Sequence, residues 1–327
     1  MSTLNYIKNK AKIPAILYKN IHLLFLEKRG NLRYYYTALR LKRIFAQNAE
    51  EVQMDNRAIG VFDSGLGGLT ATQELSGLLP DERIIYLSDS YNFPYGEKTR
   101  ERIIEMSRRD LRFLLEHEVK AVFVACGTAT SNALEVLKEE SPVPVFGVVE
   151  PAVCEAVCMT ENKKIGLLAT TASVGAGTYQ RLIREKSMEV EVTAKACPKF
   201  ATMVEDGVFD KEDERVIRAV AEYLPPLKQA GVDTVILGCT HYPLLEEVIS
   251  EYMGEGIRFI SAGAAAAREL CRYLRENNLT SENRESKAEY YTTGSPENFA
   301  ATAQLMLRRD ISPYLKGIEP FDKGGNI

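Results

Sequence analysis

The chain has 327 residues, 45% of them hydrophobic and 26% charged, with a formal net charge of −4. That is the make-up of a soluble globular protein with room for two ordinary domains. No apolar run approaches the roughly 18–20 residues that span a bilayer, and no secretory leader pattern is present. Beyond residue 49 the chain carries 31 basic and 44 acidic residues, which argues against the basic face that nucleic acid requires.

The first residues differ from the rest. Residues 1–49 carry ten Lys/Arg and a single acid, Glu27, and "AILYKNIHLLFLEKRGNLRYYYTALRLKRIFA" sets basic and bulky apolar residues at helix-like spacing. Residues 1–56 are therefore predicted to be a basic, partly helical N-terminal extension. The preferred reading packs it on its own body or leaves it disordered, a misassigned start being the other plain explanation. The less favoured one lays it on an anionic membrane surface or a partner.

From residue 57, short apolar runs alternate with longer helix-like segments. "AIGVFD" (58–63) is the first predicted strand, and it runs into Asp63-Ser64, a glycine-rich turn and a helix. Gly65-x-Gly67 resembles part of a nucleotide loop, but the next glycine is at 68 and no Walker lysine follows. "RIIYLSD" (83–89) leads to the stiff turn "NFPYGEKT" (92–99), where Tyr95 and Gly96 could offer a phenol and backbone amides to a small polar ligand. "AVFVAC" (121–126) ends at Cys126-Gly127-Thr128 and a helix; "VPVFGVV" (143–149), "KIGLLAT" (164–170) and "VEVTAKA" (190–196) follow. Next come "ACPKFATMVEDG", which brings Glu205, and "KEDERVIRAVAEYLPPLKQA" (211–230), read as one helical segment. "TVILGC" (234–239) then delivers Cys239-Thr240-His241, again ahead of a predicted helix. "IRFIS" (257–261) and a late strand "YYTT" (290–293), returning to the first sheet, complete the set.

This alternation predicts an α/β fold of two similar domains, each a parallel-rich sheet flanked by helices, with the active site in the cleft between them. The first domain takes residues 57–152 plus 262–318, and the second 153–261. Ligands of parallel sheets sit off the carboxyl ends of the strands. Cys126 and Cys239 both stand there, one in each half.

The six cysteines (126, 154, 158, 197, 239 and 271) are too scattered for a disulfide framework and point to a reducing cytoplasm. Cys154-x3-Cys158 lacks the second ligand pair that zinc would need. A lone buried cysteine is usually a small hydrophobe. Two in equivalent positions, at strand-to-helix junctions where dipole and free amides favour a thiolate, point to chemistry. Asp63 or Ser64 would assist the first and His241 the second, with Glu205 tuning that pair. Two acid-base groups on opposite faces of one carbon invert it, one removing the proton and the other returning it. Ser64, Thr128, Thr240 and the two turns would hold the substrate's carboxylates.

The motifs "FDSGLGGLT", "FPYGEK", "VACGTA", "CPKF…VEDG", "GCTHYPLL" and "TTGSPENF" stand in one order over residues 57–315. In this the chain resembles the glutamate racemases of the cofactor-independent aspartate/glutamate racemase superfamily. The resemblance implies interconversion of L- and D-glutamate without a cofactor, in the cytoplasm, supplying D-glutamate for peptidoglycan, by enzymes that commonly pair as homodimers. It implies that Cys126 deprotonates the D isomer with Asp63 as assistant, and Cys239 the L isomer with Glu205 and His241. The pairs Asp63-Ser64, Tyr95-Gly96, Gly127-Thr128 and Thr240-His241 would contact substrate. Two positions depart from the pattern. The usual Ala-Cys-Asn-Thr has Gly127 in place of asparagine, and a late Asp-Ser is replaced by Ser261-Ala262. The competing readings are a racemase of the same type acting on aspartate or another amino acid, and a non-catalytic binding protein that docks through its extension. A cysteine hydrolase is disfavoured because it gives the second thiol no purpose.

Overall fold

The computed structural model describes residues 55–282 and 288–321. The predicted helical extension and its membrane or partner contact fall on residues 1–54 for all but their last two positions, outside the described residues.

Among the described residues, ten strands form two parallel sheets. The first sheet has the order β10-β9-β2-β1-β3-β4, with β1 Ile59–Asp63, β2 Ile84–Ser88, β3 Ala121–Val124, β4 Val145–Gly147, β9 Glu289–Thr292 and β10 Leu315–Gly317. The second has the order β6-β5-β7-β8, with β5 Lys164–Ala169, β6 Glu191–Ala196, β7 Thr234–Leu237 and β8 Arg258–Ser261. All strand pairings are parallel. Every residue of β1, β2 and β3 is buried, as parallel strands covered on both faces must be. The late strand does return to the first sheet, beside β2. The edge strand β10 was missed in the sequence because three residues are too short to show a period.

The helices follow the apolar spacing. Helix α1 (Gly68–Leu78) follows β1, α2 (Arg100–Glu116) follows the 92–99 turn, and α3 (Gly127–Glu140) follows β3. Thr99 caps α2 by accepting the Arg102 amide, and Ile103, Met106, Leu111 and Leu114 form its buried stripe. In the second half, α4 (Val149–Met159), α5 (Thr171–Ala176), α6 (Thr178–Lys186), α7 (Pro198–Glu205) and α8 (Glu214–Tyr223) come next. The segment 211–230, predicted as one helix, is two. Pro225 and Pro226 lack amide donors, so α8 stops at Tyr223 and a short α9 restarts at Pro225–Ala230. Helices α10 (Glu246–Met253), α11 (Ala262–Glu276) and α12 (Pro296–Leu307) complete the set.

The chain passes from the first sheet to the second through α4 and returns through α11. Both helices lie in one apolar cluster that also holds Ile59 and Phe123 of the first sheet and Ile165 and Ile236 of the second. Helix α11 packs through small residues, with Ala265, Ala266 and Ala267 buried. A Cβ on its Gly263 would lie 2.7 Å from the Cβ of Ala71 on α1. Among the described residues, no helix is long and apolar enough to cross a membrane.

Candidate active site

The carboxyl ends of β1, β3, β5 and β7 converge on one hollow. Its lining includes Ser64, Tyr95, Gly96, Cys126, Thr128, Cys239, Thr240 and His241. Both predicted thiols therefore face the same space from opposite sheets. The space is small, about 10 Å³, room for roughly one water, so an amino acid enters only when the walls separate.

The first wall is built on β1 and β3. Cys126 stands two residues past β3 and is itself the N-cap of α3, its Sγ accepting the Ala129 amide at 3.4 Å. The Ser64 Oγ lies 3.7 Å from Sγ. Burial, aided by the nearby Asp63 carboxylate, pushes the thiol up to about 12 against the pull of that amide. Asp63, fully buried at the end of β1, accepts from the Gly65 amide at 2.9 Å and from Thr240 Oγ1 at 3.0 Å. Burial holds its carboxyl above the usual range, only partly offset by the His241 charge and these hydrogen bonds.

The second wall is organised differently. No α-helix starts at Cys239. A 3₁₀ turn over Tyr242–Leu245 intervenes, and α10 begins only at Glu246. This corrects the expectation that both thiols sit at helix starts. What stands beside Cys239 is a ring: His241 Nδ1 is 3.4 Å from Sγ, and Nε2 is 2.7 Å from Glu205 Oε1 at the end of α7. Burial disfavours a charged ring, but Cys239 and Glu205 outweigh it and hold His241 well above the ordinary histidine range. The charged ring donates at both nitrogens. The Gly67 amide, 3.2 Å from Nε2, is a partner for its neutral form only.

Several contacts join the walls. Glu205 Oε1 accepts the Leu66 amide at 2.5 Å, Thr70 Oγ1 donates to the Thr240 carbonyl at 2.9 Å, and Thr240 reaches Asp63 as above. Thr128 Oγ1 lies 2.9 Å from Thr170 Oγ1, bridging α3 to the end of β5.

Not every predicted contact group faces the hollow as expected. The Tyr95 phenol points away, donating to Asp89 at 2.6 Å and lying 3.0 Å from Asp110, both buried. Tyr95 and Gly96 therefore present mainly backbone. Ser261, at the departing Ser261-Ala262 pair, caps α11 by accepting the Ala264 amide at 3.3 Å and is not among the lining residues. Thr170, Phe93 and Ala201 line the hollow and were not singled out in the sequence. Thr170 could have been found, since it directly follows the apolar run "GLLA" as Cys126 follows its own.

The arrangement suits proton transfer to and from a carbon held between two sulfurs. Hydroxyls of Ser64, Thr128, Thr170 and Thr240 surround that position and can bind carboxylates, while the charged His241 is the counterion that a sulfur anion needs.

The sequence pattern of the Asp/Glu/Hydantoin racemase family matches residues 68–270. The glutamate racemase of Lactococcus lactis subsp. cremoris (strain MG1363) is 43% identical over 255 residues, covering 78% of this chain and 93% of that protein. The fold is similar to that of glutamate racemase isoform RacE1 from Bacillus anthracis, with a TM-score of 0.78 and 35% identity over 81% of this chain and 99% of that one. It is also similar to the glutamate racemase of Francisella tularensis subsp. tularensis SCHU S4 in complex with D-glutamate, with a TM-score of 0.76 and 31% identity over 82% of this chain and 100% of that one.

Proposed function

The chain belongs to the Asp/Glu/Hydantoin racemase family, and from that premise we propose how it interconverts L- and D-glutamate. The observation that carries the reading is that Cys126 and Cys239, from different sheets, line one hollow. In the L-to-D direction Cys239, as thiolate beside the charged His241, takes the α-proton. The electron pair left on the α-carbon is delocalised into the α-carboxylate, whose growing charge is met by the surrounding hydroxyls and turn amides. Cys126, held as a thiol at neutral pH, returns a proton on the opposite face. The D-to-L direction reverses the roles. Asp63 supports Cys126, and Glu205 holds the His241 ring toward Cys239.

Because glutamate cannot fit the closed hollow, binding opens the walls and reclosure excludes water around the carbanion. The D isomer would supply peptidoglycan synthesis. Two working thiols, unpaired like the other described cysteines, suit a reducing compartment, and we place the activity in the cytoplasm.

The test is proton NMR of L-glutamate in heavy water with purified chain and no added pyridoxal phosphate. Loss of the α-proton signal, with D-glutamate detected in the same sample by circular dichroism, is the expected result. A panel of L-amino acids in the same assay decides substrate identity: faster exchange of aspartate than glutamate would overturn the glutamate assignment while keeping the two-thiol chemistry.

A further inference from the structure

The late motif "TTGSPENF" gives the hollow no lining residue, yet its Thr293 reaches the turn that does line it. The Thr293 amide bonds to the Ser88 carbonyl at the end of β2. Its Oγ1 accepts the Tyr91 amide at 3.0 Å and donates to Asp89 Oδ1 at 2.8 Å. Asn92 Nδ2 and the Tyr95 phenol donate to the other Asp89 oxygen, at 3.0 and 2.6 Å. Asp110, on the buried face of α2, completes the cluster, its Oδ2 lying 3.0 Å from the Tyr95 oxygen. Asp89, Tyr95, Asp110 and Thr293 are all buried.

A phenol has one hydrogen, and here the nearer Asp89 takes it. The Asp110 contact is then a hydrogen bond only if Asp110 brings a hydrogen of its own. Asp110 Oδ1 has no hydrogen-bond partner among the described residues. That costs little for the carbonyl oxygen of a neutral acid and much more for half of a buried carboxylate. Burial, with the charges of Asp89 and Asp63, holds the Asp110 carboxyl well above the usual carboxylate range, against the pull of the Tyr95 hydrogen bond and the Arg109 cation. On the outer side of the cluster, Arg102 reaches Asn92 Oδ1 at 3.5 Å.

We propose that Asp110 is a positioning residue, a carboxylic acid kept neutral inside the first wall. Its proton ties the Tyr95 phenol to Asp89, and the three together hold the 93–96 turn whose backbone lines the hollow. Every member comes from the first sheet and its connections, so the tie is the same whether the walls are closed or parted. Its effect on activity rests on the racemase reading above; the protonation of Asp110 does not.

The experiment takes the full-length chain with Asp110→Asn, Asp110→Ala, Asp89→Asn and Tyr95→Phe, and records infrared spectra at neutral pH beside racemisation kinetics. Subtracting the Asp110→Asn spectrum from that of wild type should leave the carbonyl stretch of a protonated carboxylic acid. Asparagine offers Tyr95 the same donor, so Asp110→Asn should fold and keep kcat/KM within about twofold. Asp110→Ala and Tyr95→Phe break the tie and should each lower kcat/KM by about tenfold. Their kcat should fall alongside, because the turn amides meet charge that grows during the reaction. Asp89→Asn turns amide hydrogens against donors already aimed at that side chain and should lose at least as much. If Asp110→Ala unfolds, Asp110→Asn and Tyr95→Phe decide. The proposal falls if the acid band is absent, or if Asp110→Asn is unfolded, as impaired as Asp110→Ala, or worse tolerated than Asp89→Asn. It falls equally if Tyr95→Phe turns over like wild type. A wild-type chain that shows the acid band but does not racemise glutamate overturns the functional reading instead.

Discussion

The two walls of the hollow present the same side chain in different surroundings. Cys126 caps a full helix and receives one of its amides, yet burial and the Asp63 carboxylate leave it a thiol up to about 12. Cys239 has no α-helix at its back and instead has His241, braced by Glu205. A helix start alone does not make a thiolate when the site is dry. A fixed charged ring beside a sulfur is a different device, and it acts at full charge where water is excluded. The two walls also share atoms, since Asp63 of the first accepts a hydrogen bond from Thr240 of the second.

The largest expected effect tests whether the walls have separate jobs. Cys126→Ala and Cys239→Ala should each lower kcat/KM by about 10³-fold or more. The loss must be equal in both directions, because enantiomers have equal free energies and the equilibrium constant stays at unity. The walls separate in a partial reaction. Cys126→Ala should still exchange the α-hydrogen of L-glutamate for deuterium but not that of D-glutamate, and Cys239→Ala the reverse. Exchange of both isomers by either variant would erase the distinction.

His241→Asn should cost about 10²-fold in kcat, since it removes the counterion of one wall. Wild-type kcat/KM should fall on the alkaline side of neutrality as the raised His241 loses its proton, and that limb should vanish in the variant. A pH profile unchanged by the substitution would deny the ring its role. Glu205→Gln keeps the ring's hydrogen-bond partner but removes the charge, so a smaller loss of about tenfold is expected, with the alkaline limb shifted to lower pH.

The smallest effect concerns stability. Asp63 has its folded pKa raised by burial, so the folded chain binds that proton more tightly than the unfolded one. Its ionised form therefore opposes folding above the folded pKa, and the penalty disappears as pH falls below the unfolded value near 3.8. Asp63→Asn should raise Tm at pH 7 by about 2–4 °C, and the gain should shrink toward pH 4 while activity falls. A lower Tm at pH 7 would show that its hydrogen bonds from Gly65 and Thr240 outweigh the buried charge.

Much of the fold was legible because buried parallel strands read as short apolar runs, and Cys126 and Cys239 each follow such a run. The helix-like run "PLLEEVI" after Cys239 concealed the 3₁₀ turn, since apolar spacing does not report where helical hydrogen bonding begins. Nor does sequence spacing show which way a side chain turns. Tyr95 sits in a turn that lines the hollow, yet its hydroxyl is drawn inward by Asp89 and Asp110, which lie 6 and 15 residues along the chain. Glu205 reads in the sequence as a group that tunes Cys239 and His241, but its direct contact with the ring does not, because α7 brings it across 36 residues.

Helices α4 and α11 stitch the two sheets through a shared apolar cluster, with Gly263 of α11 seated against Ala71. A molecule sewn along one seam opens like a book: the spine keeps its packing while the facing pages part. Larger residues at Gly263 or the alanines beside it would bend the spine, so such variants should alter how often the mouth gapes before they alter the proton transfer itself.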